Sequence, residues 1–137
     1  MWWTYALLSA LFAALTAVLA KVGIRNVNTD LATAIRTLVI LVVAWGLVFW
    51  RGGLDGLPTL TRQNWLFLVL SGIATGLSWI CYFKALQLGK VSQVAPVDKL
   101  SVAIAILLSV LFLGEDLTWK TALGASLIIG GTLVLIL

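Results

Sequence analysis

The chain has 137 residues, 62% of them hydrophobic and only 10% charged, with a formal net charge of +4. Soluble domains run about 45–50% apolar and about 25% charged, and fourteen charges cannot cover the surface of a domain this size; a water-soluble enzyme, a disordered tail and a nucleic-acid-binding module are excluded. What remains is an integral membrane protein, in which five helical crossings of about 20 residues use roughly 100 positions and leave short loops.

The first predicted span runs from about Trp3 to Val22. It is too long for the apolar part of a signal peptide, has no basic residue ahead of it and ends at Lys21 without a small-residue cleavage site, so it reads as a helix of the mature protein. Asn26-Val27-Asn28-Thr29-Asp30 is a turn in which Thr29 or Asp30 is placed to cap the next helix. The second span covers about Leu31 to Trp50, and the loop from Arg51 through Pro58 to Asn64 is the longest connection. The third span covers about Trp65 to Leu86, the fourth Val94 to Leu113, and the fifth Trp119 to Leu137. Pro96 falls in the first turn of the fourth, where a missing N–H costs little. Thr118 is placed to cap the fifth, with Glu115 and Asp116 near its positive end. These runs are continuously apolar, without the alternation of barrel strands, so the fold class is an all-α membrane protein of five transmembrane helices in one domain over residues 1–137.

Five crossings put the chain ends on opposite sides. The side of the N-terminus has three basic residues near helix ends, Arg51, Arg62 and Lys120. The other side has Lys21, Arg25, Lys90 and Lys84, the last set slightly within its helix. Orientation follows a difference in this count; here it is at most one. The balance fits either a fixed orientation imposed by a partner or dual topology, with copies inserted both ways and paired antiparallel. Trp2, Trp3, Trp50, Trp65 and Trp119 all fall at the first boundary and mark one interfacial plane.

Three ionisable residues lie inside spans: Arg36, Asp98 and Lys99. Such residues are expensive in hydrocarbon and are functional candidates by default. At about 1.5 Å per residue, all three sit about 6–8 Å inside the same boundary. The bland reading is that Arg36 and Lys99 snorkel to the interface, but Asp98 is too short to do so and needs a partner, for which Arg36 is a candidate. Thr33, Thr37, Gln93 and Ser101 add polar groups nearby. Tyr82 closes the rim, and Trp45 and Trp79 lie deep enough to line a cavity, though ordinary packing also explains both tryptophans. One cysteine, Cys81, permits no internal disulfide, and the absence of histidine leaves no zinc site and no Ser-His-Asp triad; no metal or cofactor is expected.

Small residues mark close helix contacts. Gly72 and Gly76 form a GxxxG pair in the third span. The fifth has two rows, Ala122, Ser126 and Gly130 four apart and Gly124 and Gly131 seven apart, with no charge after Lys120, and is the best candidate for a seam between subunits.

From Cys81 to the end the chain resembles the C-terminal part of an EamA domain of the drug/metabolite transporter superfamily. The matching features are Tyr82, Ala85-Leu86 and Gly89, then Ala95-Pro96, Leu113-Gly114-Glu115, Gly124 and Gly130-Gly131; the ATAIRTLVILVVAW of the second span is also similar. Most members carry two such domains as an inverted repeat of ten helices, so the resemblance implies a transporter with its site between two repeats near the middle of the membrane. With one repeat here, an antiparallel homodimer would rebuild the pair. The small multidrug resistance proteins of the same superfamily work as dimers and carry an essential glutamate in their first helix; the first span here has no carboxylate, although the Gly124 to Gly131 spacing is similar to their dimerising helix. The expectation is a prokaryotic inner-membrane transporter of a small polar metabolite, acting by alternating access as an antiparallel homodimer. The alternatives are a subunit of a heteromeric exporter or lipid-linked flippase, and a non-transporting membrane scaffold.

Overall fold

The computed structural model describes residues 1–137 and is helical throughout, without strands. Helix α1 spans Trp2–Gly23, α2 Thr29–Trp50 and α3 Arg62–Leu88. The fourth crossing, Val91–Leu113, is divided into α4 (Val91–Asp98), α5 (Leu100–Leu108) and a π-turn over Ser109–Leu113, and α6 spans Trp119–Ile136. Five segments are thus long and apolar enough to cross a bilayer, as the composition requires.

The ends of these helices follow from local chemistry, with some corrections. The cap of α2 is Asn28, rather than Thr29 or Asp30. Its side-chain oxygen accepts from the N–H groups of Asp30 at 2.8 Å and Leu31 at 3.2 Å, which satisfies donors that the first turn leaves open. Thr29 is instead inside the helix, buried, with its carbonyl accepting from the Thr33 hydroxyl. Helix α3 begins at Arg62, ahead of the expected Trp65, because Thr61 accepts from Asn64 N–H at 3.2 Å. Thr118 caps α6 as expected, accepting from Thr121 N–H. The Arg51–Asn64 loop folds into a 3₁₀ turn over Gly53–Thr59. The chain enters it through Gly52, at a φ of 68°, a left-handed conformation that glycine takes without steric cost.

Pro96 departs most from expectation. The fourth crossing starts at Val91, so Pro96 is an interior residue of α4 and the helix is interrupted three residues later at Lys99. The ladder there shortens to i→i−3: Lys99 N–H donates to the Pro96 carbonyl and Val102 N–H to the Lys99 carbonyl, both at 3.0 Å. The buried Thr132 hydroxyl of α6 also reaches the Pro96 carbonyl at 3.2 Å. Side-chain insertion into the helical ladder is a recognised cause of a kink, and here the Pro96 carbonyl takes a second donor from the neighbouring helix.

Tertiary contacts divide the chain into two units. One comprises Met1–Val18 and Leu88–Leu137, and in it α6 packs on α4 and α5. The other is Leu19–Gln87, containing the end of α1 with α2 and α3. Its buried centre is small: Ala20, Ile24, Ala32, Phe83 and Leu86, with Thr29 and Thr33. Most large apolar side chains lie on the outside, including nearly all of those in the first half of α3. A water-soluble monomer rarely exposes more than a few hundred Å² of contiguous apolar surface; here lipid is the solvent for these faces. Trp2, Trp50, Trp65 and Trp119 are exposed at helix ends, where an interfacial belt belongs.

Candidate functional site

Arg36 is the intramembrane charge with the most developed surroundings. It lies two turns into α2, about 10 Å from the start of the helix at a rise of about 1.5 Å per residue. Its guanidinium carbon stands 4.5 Å from the centroid of the Phe83 ring, over the ring face that attracts a cation. Phe83 is 1% exposed, so the ring is fixed from behind and the cation rests on a rigid platform. Tyr82 meets Phe83 edge-on, with centroids 5.7 Å apart. No carboxylate pairs with Arg36, and its Nε is buried without a hydrogen-bond partner.

The helix carrying Arg36 offers little to compensate it. Thr33 donates to the Thr29 carbonyl at 2.7 Å and Thr37 to the Thr33 carbonyl at 2.8 Å. These back-bonds commit both hydroxyl protons to the helix itself. Beside Arg36 runs a groove of about 310 Å³ between the end of α1 and the start of α2. Ala20, Gly23, Ile24, Ala32 and Ile35 line it, with Arg36 as its charged wall and no acid among its walls.

A second hollow, about 470 Å³, opens at the helix ends between Lys21, Arg25, Asn26 and Gln87, and shares Ile24 with the groove. Its frame is a reciprocal lock between two helix termini. Lys21 Nζ, in the last turn of α1, donates to the Leu86 carbonyl near the end of α3. In return Gln87 Nε2 donates to the carbonyls of Ile24 (3.3 Å) and Val27 (2.9 Å) beyond the end of α1. Carbonyls at helix C-termini lack intrahelical donors, and here side chains of the other helix supply them. Asn26 has a φ of 58°, the left-handed conformation that lets a chain leave a helix. The mouth carries two cations, Lys21 and Arg25, and no acid.

The other sequence candidates sit as follows. Asp98 ends α4 and forms an ion pair with its neighbour Lys99 at 3.4 Å; both side chains are substantially exposed. Arg36 and Asp98 belong to different units, and each has its described neighbours within its own. Trp45 is exposed and stacks, tilted, on Phe49 at 6.0 Å; Trp79 is half-buried. On α6, Gly124 is half-buried on the side of Ala125, Ile128 and the buried Thr132, whereas Ser126, Gly130 and Gly131 are exposed. A Cβ added at Gly130 or Gly131 meets no atom within 4 Å.

Phe83, Gln87 and Lys21 also belong to the site, and no motif singles them out. The signal for the first two is the stripe Trp79, Phe83, Leu86, Gln87, which is the half-buried and buried side of α3 and follows helical spacing.

Comparison with known proteins gives a consistent answer. The model of the EamA-like transporter family matches residues 1–137. A protein of Sinorhizobium sp., described as an uncharacterized transporter in the cobO 3′ region, is 51% identical over 134 residues, covering 98% of this chain and 95% of that protein. An uncharacterized transporter of Bacillus subtilis strain 168, YxxF, is 28% identical over 128 residues, which are 93% of this chain and 40% of that protein. No solved structure matches the chain.

Proposed function

Because the chain belongs to the EamA-like transporter family and is a multi-pass membrane transporter of bacterial type, we propose that it moves a small, acid-bearing polar metabolite across an inner membrane by alternating access, as an antiparallel homodimer. The observation that carries the reading is Arg36. A cation in a membrane helix costs about 2.5–3.5 kcal/mol even on lenient scales, and this one has no paired acid and a buried Nε without an acceptor. A substrate carboxylate or phosphate supplies the missing acid, and the guanidinium fork matches either geometry. The basic mouth at Lys21 and Arg25 raises the local concentration of anions before they enter. Asp98 and Lys99, at the interrupted fourth crossing, are the second polar element of the pathway, because transporters place broken helices where substrate or coupling ions pass. Trp45, Trp79 and Tyr82 are proposed as pathway walls.

The dimer is supported by three observations of different kinds. The count of basic residues near helix ends differs by at most one between sides, which leaves orientation weakly determined. The Bacillus relative is more than twice as long as the segment it shares with this chain, long enough for a second repeat, whereas the Sinorhizobium relative is almost entirely covered by it. Gly130 and Gly131 of α6 face open space, where a second helix has room to approach.

The test is flux in proteoliposomes. Wild-type protein should exchange labelled small carboxylates across the bilayer, and Arg36→Gln should insert and purify normally but lose exchange. Undiminished exchange by Arg36→Gln removes Arg36 from the pathway. Crosslinking in the same vesicles should capture pairs of this chain; activity from a strictly monomeric preparation refutes the dimer.

A further inference from the structure

The groove beside Arg36 constrains the substrate more than the charge alone does. We infer that this groove binds a small organic monoanion with an aliphatic body, the acid group on Arg36 and the hydrocarbon along Ala20, Gly23, Ile24, Ala32 and Ile35. The inference rests on the transporter reading of Arg36 and narrows it from polar metabolites in general to amphipathic acids.

Three features of the walls lead there. First, Arg36 is the sole charged lining residue and the remaining walls are apolar side chains, so a ligand body that matches them is hydrocarbon. A hydroxyl or amide placed there would lose its water without finding a partner, since Arg36 is the one polar side chain among the walls. Second, no carboxylate lines either the groove or the basic mouth. The α-ammonium of an amino acid would therefore sit uncompensated beside a guanidinium, and an acid lacking the amine is preferred over the corresponding zwitterion. Third, the groove's volume of about 310 Å³ is at the small end of ligand sites. It is too small to take in a two-chain lipid whole. The face of the guanidinium is occupied by Phe83. An in-plane carboxylate therefore meets the guanidinium at its unburied edge.

Gly23 gives the experiment its handle. It lines the groove, and a Cβ built on it meets nothing within 4 Å. A larger side chain there fills ligand space without displacing protein. Detergent-purified full-length protein is titrated with acetate, 3-methylbutanoate, valine, 3-methylbutylamine and 3-methylbutanol, with thermal unfolding and calorimetry as readouts. Each buried methylene is worth about fourfold in affinity, so 3-methylbutanoate should bind at least about tenfold tighter than acetate and about tenfold tighter than valine, with the amine and alcohol weaker still. Gly23→Leu should abolish the advantage of 3-methylbutanoate over acetate. Gly23→Ala should reduce that advantage partly, and serves if the leucine variant does not fold. Equal binding of acetate and 3-methylbutanoate, or an advantage that survives both Gly23 variants, overturns the groove assignment. So does competition of 3-methylbutanoate by phosphatidylglycerol micelles but not by soluble branched acids, which would make the occupant a lipid. Loss of all anion binding in Arg36→Gln alone tests the parent reading; Arg36-dependent binding without chain-length preference leaves that reading standing and rejects this one.

Discussion

Arg36 lies over the face of Phe83 with its guanidinium carbon 4.5 Å from the ring centroid. The two residues come from different membrane helices, α2 and α3, and the ring is buried while the cation has no paired acid. Phe83 thus does for Arg36 what an acid would otherwise do, partially: it stabilises the charge through the ring quadrupole and fixes its plane. The ring takes none of the in-plane donors, as a carboxylate would. In the proposed function, a positive group is thereby held in hydrocarbon to receive an anion rather than be silenced by one.

Phe83→Leu tests that relationship. Removing the ring face forfeits about 0.5–2 kcal/mol of cation–π attraction and leaves the side chain's volume largely intact. We expect anion affinity to drop between about twofold and thirtyfold, with a modest fall in the unfolding midpoint. Wild-type affinity in a folded Phe83→Leu protein shows that the ring does not orient the guanidinium.

The Lys21 and Gln87 lock makes a separate prediction. In Gln87→Leu the Val27 carbonyl loses its donor and the Ile24 carbonyl keeps only the Val27 N–H, at a cost of about 1–3 kcal/mol where these are shielded from water. Gln87→Glu removes the same N–H groups and adds a negative charge at the mouth. Both variants should lower the thermal midpoint and speed amide exchange around Ile24 to Asn28. Only Gln87→Glu should also reduce anion binding, because it alone alters the field at Lys21 and Arg25. Equal binding losses in the two point to distortion rather than charge.

The membrane helices are legible from composition because a bilayer imposes one length and one chemistry on each crossing; ends differ by a turn or less wherever a short polar side chain chooses a neighbouring cap, as Asn28 does over Thr29. Arg36 is legible because a charge among apolar residues stands out. Phe83 is not, since an aromatic residue near a helix end looks like any member of an interfacial belt until its partner is known. The groove is invisible for a related reason: Ala20, Gly23 and Ala32 are small residues of a kind common in membrane helices, and only the folded chain shows which of them leave space. The hydroxyl that meets the interrupted fourth crossing lies thirty-odd positions away on α6, which no local pattern near Pro96 reveals.

That kink can be probed through Thr132. The hydroxyl donates to both the Pro96 carbonyl (3.2 Å) and the Ile128 carbonyl (2.8 Å). Thr132→Val keeps the shape and removes the donor to Pro96. With that competitor gone, the Pro96 carbonyl is free to accept an i→i+4 bond from Leu100, and the fourth crossing should become more regular. Slower amide exchange at Leu100 in Thr132→Val than in Thr132→Ser is the expected result. Unchanged exchange would assign the kink to Pro96 alone.

The subunit seam is expected on the outward side of α6. Gly131→Ile adds a branched side chain where the chain itself leaves open space, so the monomer should fold while a partner helix is pushed away. Crosslinking yield should fall at least about fivefold, corresponding to about 1 kcal/mol of lost association. Gly124 sits closer to the half-buried side of the helix, and Gly124→Ile should have the smaller effect on dimerisation. Unchanged crosslinking in Gly131→Ile moves the seam off α6.

Dual topology is the last proposal to test, and it rests on the small charge difference. With Arg51, Arg62 and Lys120 on one side against Lys21, Arg25, Lys90 and Lys84 on the other, insertion has little to choose between orientations. The exposed Cys81 would react in labelling and is first replaced, as Cys81→Ser. A Leu137→Cys variant in that background should then be modified by membrane-impermeant reagent from both faces of the membrane. Adding two bases to one side, as Asn26→Lys with Asn28→Lys, should drive most copies into one orientation. Asn28 caps α2, so Asn26→Lys with Gln93→Lys serves as the control that leaves the cap in place. If the working unit is an antiparallel pair, this bias starves it of one orientation, and flux should fall even though each copy folds. Co-expression with an oppositely biased copy, carrying Gly53→Lys and Asn64→Lys, should restore it. Flux that is undiminished in a population fixed in one orientation would refute the antiparallel dimer and require a parallel assembly or a different partner chain.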